Sequence, residues 1–316
     1  MKELICLACL CAAGAHAEDT VFGSVRAQYE SGPGQVSETA ELRWQFSDLH
    51  GVFSARHPGT LVVNELTIER PFGSGFVTAG KKVMSWDVGY AFRPLDVVQQ
   101  EDRRALNPGI LQGVPMLAWE AFDAERAITV VLSNPGKGKA DQPRDDESLA
   151  LRVFRQAGST DQFAVLRLSQ RNGIEGGVSF AHVVNDGLEL HASALLQQRH
   201  ETWSPYVRRW FPADGGGKAM AGVNWTAESK FSVLGEAWVD RSAAKGYQRN
   251  VLLRGAQNVG DFDVSADVLW MPESRKRVSS AAMSWKSGPW LYSASWRHYG
   301  GVAPSSNAVL TLLRAF

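Results

Sequence analysis

The chain has 316 residues, 44% of them hydrophobic, and its 33 basic and 33 acidic side chains leave no formal net charge. Neutrality argues against an electrostatic nucleic-acid binder, which needs a basic patch, and 21% charged with 10% aromatic residues argues against disorder. Mean hydropathy is −0.19, and no apolar run approaches the ~18–20 residues of a spanning helix, which argues against a helical membrane protein.

Residues 1–17 read as a signal peptide. Lys2 supplies the positive start, Leu4 to Ala13 the apolar stretch, and Ala15-His16-Ala17 a small-x-small cleavage site. All three cysteines (Cys6, Cys9, Cys11) lie inside it, so residues 18–316 are expected to carry neither disulfides nor thiolate chemistry.

The mature chain has a period of two. Ala40, Leu42, Trp44 and Phe46 alternate with Glu41, Arg43, Gln45 and Ser47. Leu188, Leu190, Ala192, Ala194 and Leu196 alternate with Glu189, His191, Ser193 and Gln197. The same holds for Ala219 to Ala227, Phe262 to Trp270 and Trp290 to Trp296. Residues i, i+2 and i+4 of a strand share a face, so each segment has one oily and one polar side. No 3.6-residue period competes, so the fold class is all-β.

A soluble sandwich and a lipid-embedded barrel both fit such alternation. The segments run about 9–12 residues, the span of a tilted membrane strand, against about 5–6 for common sandwich strands. Trp44, Trp225, Trp270, Trp285, Trp290 and Trp296 stand near segment ends, as interfacial girdles do. The expectation is a single transmembrane antiparallel β-barrel over residues 18–316 with about 16–18 strands. The higher count requires Val52 to His57 to form a strand after a His50-Gly51 turn. Tight connections at 158–160, 185–186, 227–229, 258–260 and 286–289 alternate with longer ones at 135–146, 198–217, 241–246, 272–276 and 299–305. The tight set is expected on the periplasmic side.

The longest irregular stretch is 86–112. Loops of this length are commonly functional, and its aromatics and Val-rich centre suit a segment folded into the barrel as a constriction. Asp87, Arg93, Asp96, Glu101, Asp102, Arg103 and Arg104 would be its polar lining. Gly80-Lys81-Lys82, Trp86 and Arg93-Pro94-Leu95-Asp96 resemble a pattern found in large uncharacterised outer-membrane barrels related to porins and alginate exporters. That resemblance implies a porin-like barrel and names no substrate.

Phasing the strands by their apolar faces puts Arg152, Arg167, Arg171, Glu236, Asp240, Arg254, Asp261, Asp263, Asp267 and Arg297 inside, among others. Basic residues from 152 to 171 would face acidic ones from 236 to 267 across a hydrated lumen, a field that filters polar solutes. The stretch 198–217 reads as an outer loop. Its Trp203, Tyr206, Arg208, Arg209 and Trp210 suit stacking on sugars or anchoring in lipopolysaccharide.

The chain ends Leu310-Thr311-Leu312-Leu313-Arg314-Ala315-Phe316. This ending is similar to the C-terminal strand of Gram-negative outer-membrane proteins, with Phe316, Leu312, Leu310 and Ala308 in one phase and Arg314 departing from it. The resemblance implies that Phe316 is part of the signal read by the barrel-assembly machinery. No Gly-x-Ser-x-Gly, metal-ligand spacing or phosphate-cradling loop occurs. The expectation is therefore a non-enzymatic outer-membrane channel without cofactor, metal or nucleic-acid partner, passing polar solutes or an exported polysaccharide. A plugged barrel serving as surface receptor or envelope-complex partner, and a barrel enzyme acting on envelope lipids, are the alternatives.

Overall fold

The computed structural model describes residues 20–31, 35–57, 59, 61–99, 111–134, 146–204, 209–301 and 304–316. The signal-peptide segment and Glu101 to Arg104 lie outside these. The first strands are β1 (Thr20–Glu30), β2 (Gln35–Phe46), β3 (Leu49–His57), β4 (Leu61–Phe72), β5 (Gly75–Lys82) and β6 (Val114–Phe122). Then come β7 (Arg126–Ser133), β8 (Ser148–Ala157), β9 (Thr160–Ser169), β10 (Gly173–Asn185), β11 (Leu188–Ser204) and β12 (Arg209–Thr226). The last are β13 (Phe231–Asp240), β14 (Arg249–Val259), β15 (Phe262–Met271), β16 (Lys276–Ser287), β17 (Trp290–Gly300) and β18 (Ser305–Ala315).

Each strand pairs antiparallel with the next, and β18 pairs with β1, so the 18 strands close into a ring. The closing seam ends on two bonds: Gly23 N–H to the Phe316 carbonyl, and Phe316 N–H to the Gly23 carbonyl, both 3.0 Å. Closure removes the free edges that an open sheet would leave. The higher strand count holds. The turn before β3 is at Ser47-Asp48, where Ser47 takes φ 50°, so β3 begins at Leu49 rather than after His50-Gly51.

The outward faces are apolar in register. Phe262 pairs with Trp285 and Trp285 with Tyr292, giving ring separations of 6.0 and 5.1 Å along the rim at the tight turns. The guanidinium of Arg314, the one residue out of pattern in the last strand, lies 5.3 Å from the Trp290 ring centre. A cation held over an aromatic face at the interface keeps its charge near the headgroups.

One expectation is corrected. Most of 198–217 is not a loop but the outer part of a hairpin, in which β11 and β12 stay paired from Arg199↔Asp214 to Ser204↔Arg209. These six pairs extend past the last pairings of β10 and β13, about 20 Å of projection. Trp203, Arg209 and Trp210 belong to that hairpin, and Tyr206 and Arg208 lie outside the described residues.

Candidate functional site

β5 and β6 are joined by residues 83–113, the third connection on the side opposite the tight turns. This loop enters the barrel. Trp86, Leu95, Val97 and Val98 bury themselves against the inner faces of β6 to β9 and β11, on Val114, Met116, Val131, Val165 and Leu195. Farther along, Val88, Ala91 and Phe92 pack on Met220, Trp238, Leu252 and Leu269. Phe92 stacks on Trp238 with 5.4 Å between centroids and 12° between planes. Leu269 is on β15, nine strands round from β6 and so half of the 18-stranded ring. The loop therefore crosses the lumen from wall to wall.

Two carboxylates shape the loop from within. Asp96 accepts the backbone N–H groups of Trp86 at 2.6 Å and Asp87 at 3.1 Å, plus the Ser85 hydroxyl. Asp87 accepts those of Leu95 at 2.7 Å and Val88 at 2.8 Å. Arg93 donates to the Gly89 carbonyl at 2.6 Å and to Ser85, with Asp96 at 3.7 Å. A chain without helix or sheet thus finds partners for its buried amides, as burial requires. Asp87 and Asp96 do not line open water; they are buried in the loop's own fold.

Desolvation by burial pushes both carboxyls above the ordinary value of 3.8, outweighing the amides that favour the charged form. Stability contributed by a group with a raised folded value is present below 3.8 and lost as pH rises through that folded value. The wild type is therefore expected to gain thermal stability relative to an Asp87→Asn variant as pH falls from about 7 toward 4. A relative loss over that range, read from paired melting curves, contradicts the assignment.

The far end of the loop is held by Glu236 on β13. Its carboxylate accepts N–H bonds from Tyr90 at 2.6 Å, Ala91 at 2.9 Å and Phe92 at 3.3 Å. His191 Nε2 stands 3.0 Å away from it, with Glu189 at 3.5 Å on the other ring nitrogen. The His191 side chain is fully buried beneath the loop tip. Two glycines make this docking possible. A Cβ at Gly222 would lie 2.2 Å from His191 Nε2, and one at Gly177 would lie 2.4 Å from Leu95. Gly222→Ala is expected to push His191 off Glu236 and loosen the loop tip, read as faster proteolysis at residues 88–93. Unchanged cleavage would mean that the pair does not hold the tip.

The other sequence-predicted residues separate by what they touch. Arg167 is buried between Asp146 at 2.7 Å and Glu175 at 2.5 Å. Burial acts to raise the Asp146 carboxyl, but the Arg167 guanidinium and the Ser169 hydroxyl prevail and hold it below 3.8. Arg152 faces inward with its guanidinium 4.8 Å from the Phe163 ring centre. Arg171 is not on the wall; it sits in the outer turn between β9 and β10, 3.2 Å from Glu201. Asp240 ends β13, accepting the Ser242 N–H at 2.9 Å with Lys218 at 4.0 Å. Asp261 lies in the turn before β15, and Asp263 accepts from Asn258 at 2.6 Å. Asp267 pairs with Arg254 at 3.4 Å, and Arg297 donates to Ser280 at 3.0 Å. Arg167 and Glu236, expected on facing parts of the wall, are both held by partners.

The side of the lumen that the loop leaves open runs along β14 to β17. Two recesses of about 610 and 540 Å³ follow one another there and share Arg254. Lys276, Arg297, Tyr247 and Tyr299 line the first, and Ser232, Asn258, Asp263 and Ser293 the second. Lys276, Tyr247 and Tyr299 are absent from the sequence-predicted residues, whereas the phase of its strand already puts Arg254 inside. Among the described residues no group of three His, Cys, Asp or Glu could hold a metal ion.

No protein-family model and no curated protein matches the chain. Solved structures do. A mutant of the Rh. blastica porin aligns at TM-score 0.55 and 13% identity, covering 94% of this chain and all (100%) of that one. OccK11 (OpdR) of Pseudomonas aeruginosa aligns at 0.65 and 7%, covering 94% and 95%, and OccK3 (OpdO) at 0.64 and 8%, covering 95% and 96%. With the closed ring and the inward loop in place, these alignments give the chain the fold of the bacterial porins.

Proposed function

We propose that this protein is an outer-membrane channel through which small polar solutes diffuse along the part of the lumen the inward loop leaves open. The observation that carries this is the loop's course. It is buried on two opposite walls, so it subdivides the bore instead of covering the mouth. What remains is a hydrated side passage with Arg254, Asp267 and Arg297 at mid-height. A bore divided by a packed loop suits solutes better than a polysaccharide chain. The porin and OccK alignments support the channel class, and the sealed His191 and Glu236 give no catalytic surface.

Purified barrels in planar bilayers are expected to give discrete current steps. Because Arg254 belongs to both recesses, Arg254→Ala is expected to shift the reversal potential in a salt gradient toward cation preference, and Asp267→Asn in the opposite sense. Inserted barrels that stay electrically silent would favour the plugged receptor. Hydrolysis of envelope lipid by the purified protein would favour the enzyme.

A further inference from the structure

The outward face carries two arginines in an unusual place. Arg126 and Arg155 are directly opposite partners on β7 and β8, in phase with the lipid-facing Ile128 and Val153. Both stand within a few residues of the tight turns 123–125 and 158–159, hence at the periplasmic interface. Among the described residues neither guanidinium has an ion-pair or hydrogen-bond partner, although the Arg126 backbone N–H donates to the Asp123 carboxylate at 2.8 Å. Like charges directly opposite one another destabilise a strand pair, so an anion between them would remove a cost.

A groove of about 590 Å³ begins at Arg155 and runs over the outside of β8 to β11. Its register explains its shape. Ala164 pairs with Val153 on one side and Val178 on the other, leaving a notch one side chain deep. Toward the turns, Gln162 lies between Arg155 and Phe180. Beside it the Thr160 hydroxyl and His182 Nδ1 are 2.8 Å apart. The groove is thus oily along the membrane and polar only at its periplasmic end.

We infer that this groove binds one anionic glycerophospholipid of the periplasmic leaflet, its phosphate between Arg126 and Arg155 and an acyl chain over Ala164. The arginine forks match phosphate oxygens, and the pair's place beside the turns suits the headgroup level of a spanning barrel. The site rests on the bilayer-spanning reading and adds to it: it assigns a lipid to one face of the wall, away from the pore.

The test is native mass spectrometry of the full barrel in detergent, titrated with phosphatidylglycerol or phosphatidylcholine of identical chains. One phosphatidylglycerol is expected to bind with clear preference. The double variant Arg126→Gln with Arg155→Gln is expected to weaken it about tenfold or more. Ala164→Leu, which fills the notch and keeps both charges, is expected to weaken it as well. Equal binding of the two lipids by the wild type overturns the proposal without needing any variant to fold. So does retention of tight binding in Ala164→Leu, or a face occupied by a second copy of the chain in place of lipid. Insertion into vesicles is scored first: barrels that fail to insert contradict the membrane reading, whereas barrels that insert and show no preference contradict only the lipid site.

Discussion

Replacing residues 86–98 with a short Gly-Ser linker is expected to raise single-channel conductance several-fold. The segment removed includes every described loop residue that packs on β12 to β15: Val88, Ala91 and Phe92. Without them nothing in the described structure divides the bore. The same excision strips cover from Val114, Met116, Val131, Val165 and Leu195 on the opposite wall. Burying each such side chain contributes about 1.5–3 kcal/mol, so the melting temperature is expected to fall as conductance rises. The pairing of those two effects is the signature. A drop in stability with unchanged current would show that the loop is packing without being a constriction.

Glu236→Ala is expected to cost about 3 kcal/mol or more in the hold on the loop tip. The carboxylate serves the amides of Tyr90, Ala91 and Phe92 at once and takes the His191 ring as its fourth partner. Alanine leaves all of them buried or forces the tip out. The expected readout is a noisier open-channel current, with transient steps toward the conductance of the excised barrel. Glu236→Gln keeps one carbonyl acceptor and the shape, and is expected to fall between wild type and alanine. A quiet, unaltered current in Glu236→Ala would show that the two apolar clusters hold the loop by themselves.

The barrel was legible because lipid and water stand on opposite sides of most strands, which turns burial into a period of two. Phe262, Val264, Ala266, Val268 and Trp270 point outward against Asp263, Ser265 and Asp267, and the register follows that phase. The signal fades where the inner face is dry. Val130-Val131-Leu132, Leu149-Ala150-Leu151 and Val165-Leu166 are apolar on both faces, because lipid covers one side and the loop the other. Those doubly apolar strands were the available clue that something fills the barrel beside β6 to β9. The outer hairpin hid for a different reason: Pro212 and Gly215-Gly216-Gly217 interrupt the alternation although the backbone ladder continues through them.

The candidate site was legible only in part. Inward phase can be read from a strand, as for Glu236, Asp267 and Arg297. It cannot say whether an inward charge is free. The partners of Glu236 lie as many as 146 positions away, at Tyr90. Arg167 is neutralised by Asp146 from an adjoining outer connection. Local pattern carries no information about such meetings, so it could not show that Glu236 anchors the loop tip.

The channel proposed above depends on the loop narrowing an otherwise wide, water-filled bore. Partial block of planar-bilayer current by neutral polymers of graded size measures that bore directly. The wild-type barrel is predicted to exclude all but the smallest polymers, and the barrel lacking 86–98 to admit distinctly larger ones. The same exclusion limit in both barrels would contradict the account.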